Sequence, residues 1–147
     1  MNDKELFTRY FREVQPKFAR LCVRTLRRTH LTLAQFGLLS VLAAGEAMPM
    51  TEVSSKLHIT KPAVTNLVDR LEKHGYIKRA AQKGDRRVHM LQLQAKGKKM
   101  VRSMQSAILA YLLKALEEFQ PKERQTVIRF YETLSKTMDE FLIKPKK

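Results

Sequence analysis

The stretch ITKPAVTNLVDRLEKHGY, residues 59–76, combines an apolar seam with a second face of short polar groups and cations. Thr65 and Asn66 are small enough to let a helix approach another surface, and both can donate or accept hydrogen bonds. An asparagine can bond bidentately to adenine. Pro62 and Ala63 add close approach and apolar contact suited to a thymine methyl, while Lys61 and Arg70 can reach phosphate, or guanine in the case of Arg70. The helix N-terminus supplies a further partial positive charge. Together these residue types predict a helix that enters the major groove of duplex DNA.

A second cluster follows at once. Between Lys78 and Arg102 lie nine cations, among them Lys83, Arg86 and Arg87, against the single acid Asp85. The run YIKRAAQKGDRRVHMLQL reads as a β-hairpin turning at KGD, with Leu91 and Leu93 inward and His89 expected on the solvent side. Arginines at such a tip suit a narrow minor groove, where negative potential is enhanced. Asp85 is expected to brace the tip by pairing with Arg87 or a neighbour.

The rest of the chain must position these two clusters. It has 147 residues, 44% of them hydrophobic, which suits one compact domain, or two intimately packed subdomains, with enough apolar material for a core. Lys and Arg outnumber Asp and Glu 29 to 14, a formal charge of +15 that favours a polyanionic partner. No run of eighteen apolar residues suggests a membrane span, and the N-terminus lacks an apolar signal core. The lone Cys22 excludes an intrachain disulfide and fits a reducing compartment, so a cytoplasmic location is expected.

Helical periods dominate outside the hairpin. Phe7, Phe11, Val14, Phe18 and Leu21 recur at three- and four-residue steps in a long first helix, which Pro16 either kinks or divides. A more fully apolar helix spans Leu33 to Leu42. Thr51 is expected to cap a short helix burying Val53 and Leu57, and Thr60 to cap the next, where Pro62 is tolerated in the first turn. Val64, Leu67, Val68 and Leu71 form its buried face, and Gly75 is a left-handed stop. A helix from Lys96 to Phe119 places Met100, Met104, Ile108 and Leu112 along one side. Pro121 opens the last, with Val127, Tyr131, Leu134, Met138 and Phe141 at steps suited to packing against another helix.

Two short helices joined by a tight turn, the second polar on one face, followed by a basic hairpin, spell a winged helix-turn-helix. LTLAQFGLLSVL, MTEVSSKLHITKPAVTNLVDRLEKHGYIKR and GDRRVHMLQLQAKGKKM, in this order and spacing, resemble the MarR family of bacterial transcription regulators over roughly Leu31 to Met100. The resemblance implies a mainly α (α+β) fold: a DNA-binding lobe at 31–94, with segments 1–30 and 95–147 forming a dimerisation region, all within one domain, 1–147. It implies a homodimer on a pseudo-palindromic operator. Carried over by position, the DNA-facing residues are Thr60, Lys61, Pro62, Ala63, Thr65, Asn66 and Arg70, with Arg86 and Arg87 in the wing. Family members commonly repress, and release DNA when a small anionic or phenolic effector, an oxidant or a metal changes the spacing of the two heads. Gln94 replaces the family's usual threonine before the next helix, which puts the local cap there in doubt.

The effector is less legible. No acid occurs between Glu13 and Glu46, yet Lys17, Arg20, Arg24, Arg27 and Arg28 do; Arg20 and Arg24 are weak candidates to hold an organic anion in the crevice the resemblance implies. Cys22 falls on the apolar face of the first helix and reads as a small core residue. The four histidines are scattered, with no metal-ligand spacing. No Gly-rich phosphate loop, nucleophile elbow or paired metal ligands suggest an enzyme or a cofactor. The rival reading is a basic architectural protein that binds DNA without sequence preference, distinguished by its salt-dependent but sequence-indifferent affinity.

Overall fold

The computed structural model describes residues 2–143; the last four residues of the expected dimerisation segment lie outside them. The first helix, α1 (Asp3–Leu26), opens on a capping box in which the Asn2 side chain accepts from the Glu5 N–H at 3.0 Å and the Glu5 carboxylate accepts from the Asn2 N–H at 2.9 Å. It continues through Pro16 as one element. A second capping box, Thr32 with Gln35 (3.2 and 2.9 Å), starts α2 (Leu33–Ala43), whose Leu38, Leu39 and Leu42 are wholly buried.

The chain then forms a two-residue strand, β1 (Met48–Pro49), and passes directly into α3 (Met50–Leu57). Thr51 is therefore not the cap. Pro49 occupies that position without a side-chain bond, because the strand pairing of Met48 and Pro49 with Leu91 and Met90 fixes where the helix begins. At the far end His58 takes a left-handed conformation (φ 52°, ψ 40°), and Ser54 closes the turn by donating its hydroxyl to the Ile59 carbonyl at 2.6 Å. The next helix, α4 (Lys61–Lys73), is capped by Thr60, whose hydroxyl accepts from the Ala63 N–H at 3.4 Å. Val64, Val68 and Leu71 are fully buried, and Leu67 is partly so. Gly75, at φ 74°, ends the helix with paired bonds: its N–H to the Glu72 carbonyl and the Tyr76 N–H to the Leu71 carbonyl, both 2.9 Å.

The hairpin is β2 (Ile77–Gln82) and β3 (Asp85–Leu93), turning through Lys83 and Gly84, the latter at φ 95°. The sheet order is β1-β3-β2, all antiparallel, with an irregularity at Ala81/Gln82. Leu91 and Leu93 are buried as expected. His89 shares their parity, so the alternation alone would turn it inward. It is nonetheless exposed, between half-buried Val88 and Met90, and residues 83–87 beyond it are exposed without exception.

Two long helices complete the chain, α5 (Ala95–Glu117) and α6 (Pro121–Ile143). The chain divides into two compact units, Met1–Ile108 and Leu109–Lys147. The core of the first unit joins Leu26 and Leu31 to α2, α3, α4, the sheet and the start of α5 through Val101 and Met104. Gly97 is required there: a Cβ would strike the Tyr76 carbonyl oxygen and the Leu93 side chain. In the second unit, Arg124 donates to the carbonyls of Phe119 and Glu117 at 2.8 and 2.9 Å, securing the turn between the two helices.

Candidate nucleic-acid interface

The buried seam of α4 turns its opposite side outward. Lys61, Pro62, Thr65, Asn66 and Arg70 are exposed, with Ala63 half-buried between them and the capping Thr60 exposed at the end. With successive residues about 100° apart around a helix, Pro62, Thr65, Asn66 and Asp69 occupy the middle of this face, and Lys61 and Arg70 its flanks. The Thr65 hydroxyl donates to the Lys61 carbonyl at 3.1 Å, so towards a ligand it presents lone pairs only. Among the described residues, the Asn66 amide and the charged ends of Lys61 and Arg70 make no hydrogen bond or ion pair.

Lys83, Arg86 and Arg87 are exposed at the hairpin tip. Asp85 does brace this tip, but through the backbone: its carboxylate accepts from the Arg87 N–H at 2.9 Å, and among the described residues no guanidinium pairs with it. The local bend is thus set by an aspartate side chain that folds back on the chain two residues ahead. The side chains of Arg86 and Arg87 remain available.

Two cations of the basic stretch are used internally. The backbone N–H of Arg79 donates to Glu72 at 2.9 Å, one guanidinium nitrogen donates to the same carboxylate at 2.6 Å, and another pairs with Asp69. Burial alone would lower the Arg79 pKa, but its bonds to Asp69 and Glu72 outweigh that effect and raise it, so the side chain stays charged. Lys96 donates to the His74 carbonyl at 2.7 Å and lies over the Tyr76 ring at 4.5 Å, covering the C-terminal end of α4. Counting charge along the sequence missed both, since the partners of Arg79 precede the stretch and that of Lys96 is a backbone carbonyl. The i, i+3 pair Asp69 and Glu72 ahead of a strand arginine was the available signal.

Arg20 and Arg24 are exposed on α1, and Lys17 pairs with Glu13 at 2.8 Å, which lowers the Glu13 pKa. A cleft of about 640 Å³ in the first unit lies elsewhere, between the end of α2 and the start of α5, with Lys98, Arg102, Glu46 and Gln92 in its lining. Gln94 does not cap α5 with its side chain, which donates to the Gln92 carbonyl; its backbone N–H bonds the Tyr76 carbonyl. Cys22 is half-buried beside the core. Among the described residues no group of three His, Cys, Asp or Glu side chains could hold a metal ion, and no helix is long and apolar enough to cross a membrane.

Fold and site together define a winged helix-turn-helix protein. A sequence model of the MarR family matches residues 31–88. The HTH-type transcriptional regulator YfiV of Bacillus subtilis is 28% identical over 109 residues, covering 74% of this chain and 68% of its own. A transcriptional regulator of known structure from Thermotoga maritima is 25% identical with a TM-score of 0.76, covering 96% of this chain and 99% of its own. FabT of Streptococcus pneumoniae, solved in complex with DNA, has the same fold at 22% identity and a TM-score of 0.68, covering 92% of this chain and 99% of its own. The chain is thus similar to helix-turn-helix transcriptional regulators, and its residues 31–88 match the MarR family model.

Proposed function

We propose that this regulator binds a pseudo-palindromic operator as a homodimer and represses transcription from it. The observation that carries this reading is the outer face of α4, where the Asn66 amide and two cations stand exposed without internal partners, followed in the chain by a tip bearing Lys83, Arg86 and Arg87. In this reading Asn66 and Thr65 contact base edges, with Thr65 restricted to accepting. Lys61 and Arg70 hold the flanking phosphates, Thr60, Pro62 and Ala63 form the close-approach end, and the wing arginines enter the minor groove.

Dimerisation is supported by apolar surface. Phe7, Tyr10 and Phe11 on α1 are at least half exposed, as are Tyr131, Met138 and Phe141 on α6, more than a lone soluble chain ordinarily displays. In this reading segments 1–30 and 95–147 provide the interface and 31–94 the reading lobe.

Selection of bound duplexes from random DNA tests the reading. A two-fold symmetric site should emerge, and Asn66→Ala should weaken binding to it by about 1–3 kcal/mol while relaxing preference at one position in each half-site. Equal affinity for operator and random duplexes would favour the sequence-indifferent alternative.

Release by a small organic anion or phenol is the regulatory part of the proposal, with Arg20 and Arg24 as the candidate contacts. Their support is the acid-free stretch that surrounds them. A tenfold loss of operator affinity requires about 1.4 kcal/mol of coupling, an ordinary magnitude for a two-state switch. Salicylate titrated against the operator complex should release DNA at fixed ionic strength, and Arg20→Ala with Arg24→Ala should abolish the effect. Release matched by an equal concentration of chloride would reject an effector site of this kind.

A further inference from the structure

A carboxylate in the middle of a DNA-reading face is an unfavourable arrangement, because it repels phosphate. Asp69 is in that position, four residues after Thr65 and three after Asn66 on the same side of α4. The structure couples it to a strand. One arm of the Arg79 guanidinium takes Asp69, and the other takes Glu72 at 2.6 Å, while the Arg79 backbone N–H donates to Glu72 at 2.9 Å. The arginine is the least exposed member, 24% against 56% for Asp69 and 36% for Glu72, so it acts as the inner post on which both carboxylates are held. Arg79 belongs to β2, whose partner β3 carries Arg86 and Arg87. A planar fork with two acceptors one helical turn apart fixes orientation as well as distance, which a single ammonium cannot do.

We infer that Arg79 is a positioning residue for DNA binding: by holding Asp69 and Glu72 it fixes the angle between the reading helix and the wing. This rests on the reading that α4 and the hairpin both meet DNA. On that basis the carboxylate at Asp69 is kept for geometry at the expense of local charge, and the two effects have opposite signs in one substitution.

Asp69→Asn provides the test. Removing a negative charge beside DNA should by electrostatics alone tighten binding. Loss of the fork should instead weaken operator binding by about three- to tenfold, with affinity for random duplex unchanged or greater. Arg79→Gln should weaken operator binding by about tenfold or more, and in that background Arg87→Ala should have less effect than in the wild type, since a wing no longer held at its angle has less to lose. If Arg79→Gln does not fold, Glu72→Gln replaces it, as that carboxylate is more exposed than the guanidinium it holds. Operator affinity that is unchanged or improved in Asp69→Asn, or strict additivity with Arg87→Ala, overturns the inference. The Asn66→Ala variant separates this failure from that of the underlying reading. If it leaves the ratio of operator to random affinity unchanged, α4 is not the reading helix. If it lowers the ratio while Asp69→Asn binds more tightly, only the role of Arg79 is lost.

Discussion

The helices α4 and α6 are both amphipathic, yet they use their apolar residues in opposite ways. In α4 the seam of Val64, Val68 and Leu71 has no exposure at all, and apart from Pro62 what faces outward is polar or charged. In α6 the corresponding stripe of Tyr131, Leu134, Met138 and Phe141 is exposed, Phe141 to 83%. Burial of a large apolar side chain contributes about 1.5–3 kcal/mol, so α4 gains its stability inside one chain whereas α6 leaves several such contributions unrealised. The reading lobe is complete on its own terms. The apolar stripe of α6 is left uncovered within one chain, and under the proposed function a second copy of the chain covers it and supplies a second reading head.

The most direct way to break this comparison is Tyr131→Glu combined with Leu134→Glu. If α6 packs against a partner copy, the mass in solution should fall from twice the 17.1 kDa chain to the chain alone. Operator affinity should fall by about a hundredfold or more as two linked heads become independent. The α4 seam should be untouched, so the unfolding of the lobe should remain cooperative. A double variant that keeps both its mass and its affinity would show that the exposed stripe is not the dimer interface.

Next in size is Gly97→Ala. Most helix glycines gain stability on becoming alanine, by up to about 1 kcal/mol. Here the added carbon would meet a backbone carbonyl, that of Tyr76, which has no rotamer by which to move aside. Overpacking should win, with a net loss of about 1–3 kcal/mol seen as a lowered denaturant midpoint. A stabilised variant would mean that the start of α5 can slide on the sheet, and the lobe would be less self-contained than its burial pattern implies.

What could be read from sequence divides along similar lines. The Thr60 cap, the Gly75 stop, the KGD turn and the α4 seam are all local: each follows from residue types within one or two turns of one another. Helix existence was equally legible in α5 and α6 from the recurrence of Leu, Met and Phe. Long-range constraints were not. Thr51 looks like a cap until β1 pairs with β3 and moves the helix start to Pro49. His89 follows the inward parity of Leu91 and Leu93, yet it stands exposed between half-buried Val88 and Met90, which the alternation does not reveal. Gly97 and Arg79 depend on what the fold brings beside them, which no pattern within the segment AKGKKM or YIKRAAQ reveals. For the candidate interface this means that residue types were legible, while the internal commitments of Thr65, Arg79 and Lys96 were not.

The smallest effect expected is at the turn between α3 and α4. His58 sits at φ 52°, where a residue with a Cβ is strained by about 1 kcal/mol and glycine is not. His58→Gly therefore relieves strain in the folded state, but it also loosens the unfolded chain by a similar amount, about 0.5–1 kcal/mol. The two should nearly cancel, leaving stability within about 0.5 kcal/mol of wild type. DNA binding should not change either, because the bonds that hold the turn, from the Ser54 hydroxyl to the Ile59 carbonyl and from the Ile59 N–H to the Ser54 carbonyl, do not involve the side chain at residue 58. Ser54→Ala is the useful contrast, since it removes one of those bonds at a cost of about 1 kcal/mol. A drop in operator affinity for His58→Gly at unchanged stability would show that the exposed imidazole itself touches DNA, extending the reading surface back from α4 into the turn.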